Sequence, residues 1–84
     1  MRLVLRFFAG LRDIAGQSQM QLEVPEGTTV GRLQDLLWAR YPQTASMASP
    51  VLIAVNHEYA NPATQLQDGD EIAFLPPVGG GQHV

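Results

Sequence analysis

The sequence predicts an α+β domain in two layers, with one main helix packed on a mixed sheet of four to five strands. Three observations carry this reading. Residues 2–8 and 19–24 alternate in period two, as strands buried on one face do. Residues 29–41 repeat their apolar positions at helical spacing. Two short apolar runs, 51–55 and 71–75, are bounded by turn-forming residues.

In the first strand Leu3, Leu5 and Phe7 form the core face, and Arg2, Val4, Arg6 and Phe8 the outer face. Residues 19–24 turn Met20, Leu22 and Val24 inward and Gln19, Gln21 and Glu23 outward, and Pro25-Glu26-Gly27 makes a turn. Thr28 or Thr29 caps the helix, whose stripe is Val30, Leu33, Leu36, Leu37 and Tyr41. Trp38 at the edge of this stripe is read as core. Pro42 ends the helix near Tyr41. Residues 43–50 read as loop. Residues 51–55 are continuously apolar and suit a central strand covered on both faces. Asn56-His57-Glu58 turns the chain, and a short extended piece follows around Tyr59. Asp68-Gly69 is a second turn. The last strand puts Ile72 and Phe74 on one face, Ala73 and Leu75 on the other. The order strand, strand, helix, strand, strand matches the β-grasp arrangement of ubiquitin.

Composition narrows the function. With 84 residues the chain suits one domain, which buries only about 60–65% of its unfolded surface and leaves little room for a deep catalytic pocket. There is no cysteine, so disulfides, thiolate chemistry and cysteine-ligated metals are excluded. All five basic residues are arginines, so Schiff-base chemistry and a phosphate-binding P-loop are excluded too. Those five arginines lie within residues 1–42, whereas residues 43–84 carry no arginine and four acids, Glu58, Asp68, Asp70 and Glu71. This balance argues against nucleic acid and for docking to basic protein surfaces. No segment reads as a signal peptide or membrane span, and a cytoplasmic protein is expected.

The chemistry-bearing segment is the tail. Residues 1–78 are expected to form the domain and 79–84 a flexible end. Pro76-Pro77 is a stiff spacer, Val78 follows, and Gly79-Gly80-Gly81 is a thread thin enough for a narrow channel. A terminal glycine carboxylate can be adenylated and converted to a thiocarboxylate. A phosphate-cradling glycine loop needs a helix after it, but only Gln82-His83-Val84 follows. Asp68-Gly69-Asp70-Glu71 lacks the ligand spacing of a calcium loop. His57 and His83 have no evident partners, and no metal site is expected. Phe8, Tyr59 and Leu75 are large apolar side chains expected on the outer face, as a protein interface would have.

Phe7-Phe8-Ala9-Gly10-Leu11-Arg12 with Gly16, then Val55-Asn56, then residues 66–81 from Leu66-Gln67-Asp68-Gly69-Asp70-Glu71 through Pro76-Pro77-Val78-Gly79-Gly80-Gly81, resemble the small subunit of molybdopterin synthase. The resemblance spans residues 1–81. It implies a sulfur carrier with no tightly held cofactor and no catalysis of its own. A ubiquitin-activating-enzyme-like adenylyltransferase, using ATP and magnesium, would adenylate Gly81. A sulfur donor such as a cysteine desulfurase would supply the thiocarboxylate. The large subunit would then receive the tail, with Gly80 beside the reactive residue, and pass sulfur to cyclic pyranopterin monophosphate, usually in a heterotetramer. It maps partner contacts onto Phe8, Tyr59 and Leu75, with Pro76, Pro77, Val78 and Gly79 leading into the channel. The chain departs from the family at His57, a turn position that is often small or polar, and at its end, where Gln82-His83-Val84 follows Gly81. Two other readings keep the same tail: a sulfur carrier for thiamine or cysteine synthesis, and a ubiquitin-like modifier or adaptor that transfers no sulfur.

Overall fold

The computed structural model of the chain describes residues 1–46 and 51–75. It contains five strands, β1 (Arg2–Phe7), β2 (Gln19–Glu23), β3 (Leu52–Val55), β4 (Glu58–Tyr59) and β5 (Glu71–Leu75), and two helices, α1 (Ala9–Ala15) and α2 (Val30–Arg40). The strands form one sheet in the order β2-β1-β5-β3-β4. β1 and β5 run parallel, and every other pair is antiparallel. This is the expected mixed sheet, with β5 in its middle.

The alternation of β1 sends Leu3, Leu5 and Phe7 into the core, where they meet Ile72 and Phe74 of β5, Ile53 of β3 and Val30, Leu33 and Leu37 of α2. Phe74 is fully buried, with its ring 5.7 Å from Phe7 and 6.2 Å from Trp38. Trp38 is therefore half-buried and packed against the core, at the edge of the stripe where its place on the helix puts it. Aromatic pairs at such separations add about 0.5–1.5 kcal/mol beyond the area they bury.

α2 begins where its free amide groups find acceptors. The Val30 N–H donates to the Thr64 carbonyl at 2.9 Å and the Gly31 N–H to the Pro62 carbonyl at 3.0 Å. The Arg32 N–H donates to Thr29 Oγ1 at 3.3 Å, so Thr29 is the cap. The Thr28 hydroxyl instead donates to the Pro25 carbonyl. The loop before β5 thus caps the helix as well as connecting strands.

Four expectations need correction. Leu36, expected in the apolar stripe of α2, is 43% exposed, because the buried face is narrowed to Val30, Leu33 and Leu37. Residues 9–15 form a short helix, entered through Ala9 at φ 52° and closed by Gly16 at φ 77°. Only Leu11 of α1 is buried, too little apolar surface to show a helical period. Pro42–Ser46, expected as loop, is a 3-10 helix; proline suits its first turn, and Thr44 returns both its N–H and its hydroxyl to the Tyr41 carbonyl. β3 is interior with Ile53 and Ala54 both buried, but the central place belongs to β5. The rest of residues 43–50, and residues 76–84 with the whole expected tail, lie outside the described residues.

Candidate functional site: the outer face of the sheet

The face of the sheet turned away from α2 carries Val4 and Arg6 from β1, Leu52 and Ala54 from β3, and Glu71, Ala73 and Leu75 from β5. Strand register sets Arg6 beside Ala73, Ala73 beside Ala54, and Ala54 beside Tyr59. Two methyl groups therefore stand at the centre of a row whose ends are an arginine and a tyrosine. The outcome is a shallow depression of about 420 Å³. Ala54 and Ala73 line it in the middle, Arg6 and Phe8 on the β1 side, and His57 and Tyr59 on the β4 side. Leu75 and Glu71 belong to its two ends along β5.

Each element has a local reason to deliver its side chain there. β1 stops at Phe7, and Phe8 becomes the residue before α1 with extended backbone, φ −129° and ψ 154°. Phe8 thus leaves the strand on its outer side, half-buried rather than in the core. Asn56 and His57 both take left-handed backbone, φ 50° and 73°, as a tight hairpin turn requires at both central positions. The turn returns the chain as β4, which places Tyr59 opposite Ala54 with 70% of its surface exposed. Leu75 closes β5 at the same end of the sheet as Phe8, because β1 and β5 are parallel.

The charged end is ordered. Arg6 Nη1 donates to Glu71 Oε2 at 2.9 Å, and its guanidinium carbon lies 5.9 Å from the centre of the Phe8 ring. His57 Nε2 lies 3.8 Å from the other Glu71 oxygen. One carboxylate is therefore bracketed by two nitrogen-bearing side chains, and the arginine guanidinium lies over an aromatic face.

The structure brings Phe8, Tyr59 and Leu75 to one depression, as outer-face positions of three different strands should be. Pro76, Pro77, Val78, Gly79, Gly80, Gly81 and His83 lie outside the described residues. Sequence reasoning placed Arg6 outward but missed its partner Glu71, 65 positions away. It also missed Ala54 and Ala73 as the middle of the depression. Alanines carry no pattern of their own, and their adjacency appears only once the strand order is known. Among the described residues no helix is long and apolar enough to cross a membrane.

The ThiS family matches residues 5–81. The molybdopterin synthase sulfur carrier subunit of Mycobacterium tuberculosis is 40% identical over 76 residues, covering 89% of this chain and 92% of that protein. Among solved structures, a putative molybdopterin converting factor subunit 1 from Pyrococcus furiosus superposes with TM-score 0.86 at 29% identity, over 93% of this chain and 99% of that one. The crystal structure of SAMP1 from Haloferax volcanii gives TM-score 0.80 at 28% identity, over 96% and 100%. Subunit 1 of the molybdopterin-converting factor of Helicobacter pylori, solved in complex with subunit 2, gives 0.68 at 27%, again over 96% and 100%. These are β-grasp proteins, and by sequence and fold together the chain belongs to the ThiS family, with proteins named molybdopterin synthase sulfur carrier subunits among its relatives.

Proposed function

We propose that the chain is the sulfur-carrier subunit of a molybdopterin synthase. The observation that carries the reading is its 40% identity to such a subunit over 89% of the chain, with the ThiS family match running to residue 81. The outer face supports it, because an apolar depression beside the end of β5 lets a partner grip the domain where the tail leaves.

The chemistry is carried by Gly81. One oxygen of its free carboxylate attacks the α-phosphorus of ATP on the activating enzyme, and pyrophosphate leaves. A persulfide on a donor such as a cysteine desulfurase then adds through its outer sulfur to the acyl carbon, and AMP leaves. A second thiol attacks the inner sulfur of the acyl disulfide, forming a disulfide with the donor and releasing the thiocarboxylate. The resulting thiocarboxylate enters the large subunit and gives its sulfur to cyclic pyranopterin monophosphate. Hydrolysis returns the glycine carboxylate. The domain supplies recognition and positioning, and catalysis belongs to its cytoplasmic partners.

In the sequence as it stands, Gly81 is joined to Gln82 by an amide, which is neither ionised nor able to attack ATP. The active species therefore ends at Gly81, with Gln82-His83-Val84 removed. The test compares full-length protein with a form truncated after Gly81. Each is given ATP, magnesium, the activating enzyme and a sulfur source, and is then weighed. The truncated form is expected to gain about 16 Da, the difference between sulfur and oxygen, and the full-length form nothing. A gain at Val84 removes Gly81 as the reactive residue. No gain in the truncated form, with an activating enzyme shown to be competent, removes the sulfur-carrier reading.

A second reading has its own observation. The likeness to a small archaeal modifier protein favours conjugation to other proteins through the same tail. Isopeptide-linked adducts on cellular proteins, carrying the mass of the chain ending at Gly81, would favour it over sulfur transfer.

A further inference from the structure

The chain as a whole is acidic, with a formal charge of −3, and its second half carries no arginine or lysine. Net charge therefore points to basic partners. The outer face differs locally, because the acid in its depression is matched by Arg6. Glu71 is the one acid lining the depression. Its side chain is only 31% exposed, with Oε2 held by Arg6 at 2.9 Å and Oε1 3.8 Å from His57. One oxygen is thus held by a hydrogen bond from Arg6, while the other faces the His57 ring beyond hydrogen-bond distance.

The donors beside them are open. Arg6 is 44% exposed and His57 85% exposed. Among the described residues the Arg6 side chain makes one hydrogen bond, to Glu71, out of the five N–H groups that a guanidinium carries. Its plane is steadied between Glu71 and the Phe8 ring, so little side-chain freedom remains to be lost when a second acceptor arrives. A half-neutralised, aromatic-backed guanidinium at the rim of an apolar depression is suited to a planar anion approaching from outside.

The geometry points to a partner carboxylate that pairs with Arg6 while an apolar side chain of the same partner fills the depression over Ala54 and Ala73. The partner is the large synthase subunit, so this inference rests on the function proposed above and adds to it the chemistry of the contact. A partner base would meet the less exposed Glu71, one of whose oxygens Arg6 already holds, whereas a partner acid meets the more exposed Arg6 with N–H groups to spare. An acidic one completes the row Glu71, Arg6, carboxylate, in which a single guanidinium bridges the two anions.

The test is the affinity of the large subunit from the same organism for wild type, Arg6→Met, Arg6→Gln and Glu71→Gln, at low and high salt, with thermal melting of each variant. Arg6→Met keeps an apolar stem over Phe8 and removes the charge. Both Arg6 variants are expected to bind about tenfold more weakly and with a flatter salt dependence. Glu71→Gln frees the guanidinium from its anion and is expected to bind as tightly as wild type or more tightly. The opposite order, with Glu71→Gln the weaker, shows a basic partner and overturns the inference. Wild-type affinity in Arg6→Met overturns it too. In either case the proposed function stands if wild type binds. If wild type does not bind the large subunit at all, the functional reading fails, and the inference fails with it.

Discussion

Asn56 holds Glu71 by both of its backbone polar groups. The Asn56 N–H donates to the Glu71 carbonyl at 2.8 Å, and the Glu71 N–H donates to Asn56 Oδ1 at 3.0 Å. The Asn56 amide nitrogen also donates to Asp70 Oδ1 at 2.9 Å, while Asp70 Oδ2 accepts the Gln67 N–H. The β3–β4 turn is thereby clamped to the start of β5, which aims Glu71 at Arg6 and His57.

Asn56 does this at φ 50°, a conformation that costs other L-residues about 1 kcal/mol or more. Asn56→Ala is expected to destabilise the domain by about 2 kcal/mol, from lost hydrogen bonds and strain together. Asn56→Gly loses the hydrogen bonds but tolerates the backbone, and is expected to cost about half as much. Urea unfolding of both variants checks this, and an alanine variant as stable as the glycine variant contradicts it.

Phe8 and Phe74 are a matched pair for separating docking from folding. Phe8→Ala removes a half-buried ring from the outer face and is expected to weaken binding of the large subunit by about 2 kcal/mol with little change in melting temperature. Phe74→Ala empties a fully buried site and is expected to cost about 3–5 kcal/mol, a large part of the stability of a domain this small. Calorimetric titration beside thermal melting distinguishes the two. Unfolding of the Phe8 variant would place its ring in the core.

The depression exists because Ala54 and Ala73 are small. Ala73→Leu fills it from below, on a strand position that is only half-buried. Binding is expected to fall about tenfold while stability stays within about 1 kcal/mol of wild type. Unchanged affinity would mean that no partner side chain enters the depression.

Two helix glycines should respond with opposite signs. At Gly10 in α1 a Cβ meets nothing within 4 Å, so Gly10→Ala is expected to stabilise by about 0.5 kcal/mol. At Gly31 in α2 a Cβ would sit 3.2 Å from Pro62 Cβ and 3.3 Å from the Pro62 carbonyl oxygen. That carbonyl also accepts the Gly31 N–H, so the loop cannot retreat without breaking a helix cap. The clash is expected to outweigh the helix-propensity gain of about 1 kcal/mol, leaving Gly31→Ala less stable than wild type. Equal shifts of melting temperature in the two variants would refute the packing argument.

The elements legible in the sequence are those with one wet face and one dry one. β1 and β2 show it as alternation, and α2 shows it as a stripe ended by Thr29 and Pro42. What stayed hidden follows from tertiary pairing. α1 owes its existence to a left-handed Ala9 and a single buried Leu11, neither of which makes a period. The middle position of β5 depends on its parallel pairing with β1, and nothing in residues 71–75 alone distinguishes a parallel partner from an antiparallel one. The outer-face positions of Phe8, Tyr59 and Leu75 were readable. The alanines between them and the Arg6–Glu71 pair were not, because sequence distance conceals which strands are neighbours.

The parallel pairing of β1 with β5 also sets a length. Phe8 and Leu75 lie at one end of the sheet, so a partner that grips them holds the point from which the tail starts. Six residues separate that point from the far end of Gly81, and a fully extended chain of that length spans at most about 20 Å. The docking face and the proposed reactive carboxyl are thus joined by a ruler of fixed maximum reach. Any catalytic centre that Gly81 serves lies within that radius of the gripped edge. Each residue added to or removed from the thread would move the sulfur by up to about 3.5 Å, more than the tolerance of a bond-forming step.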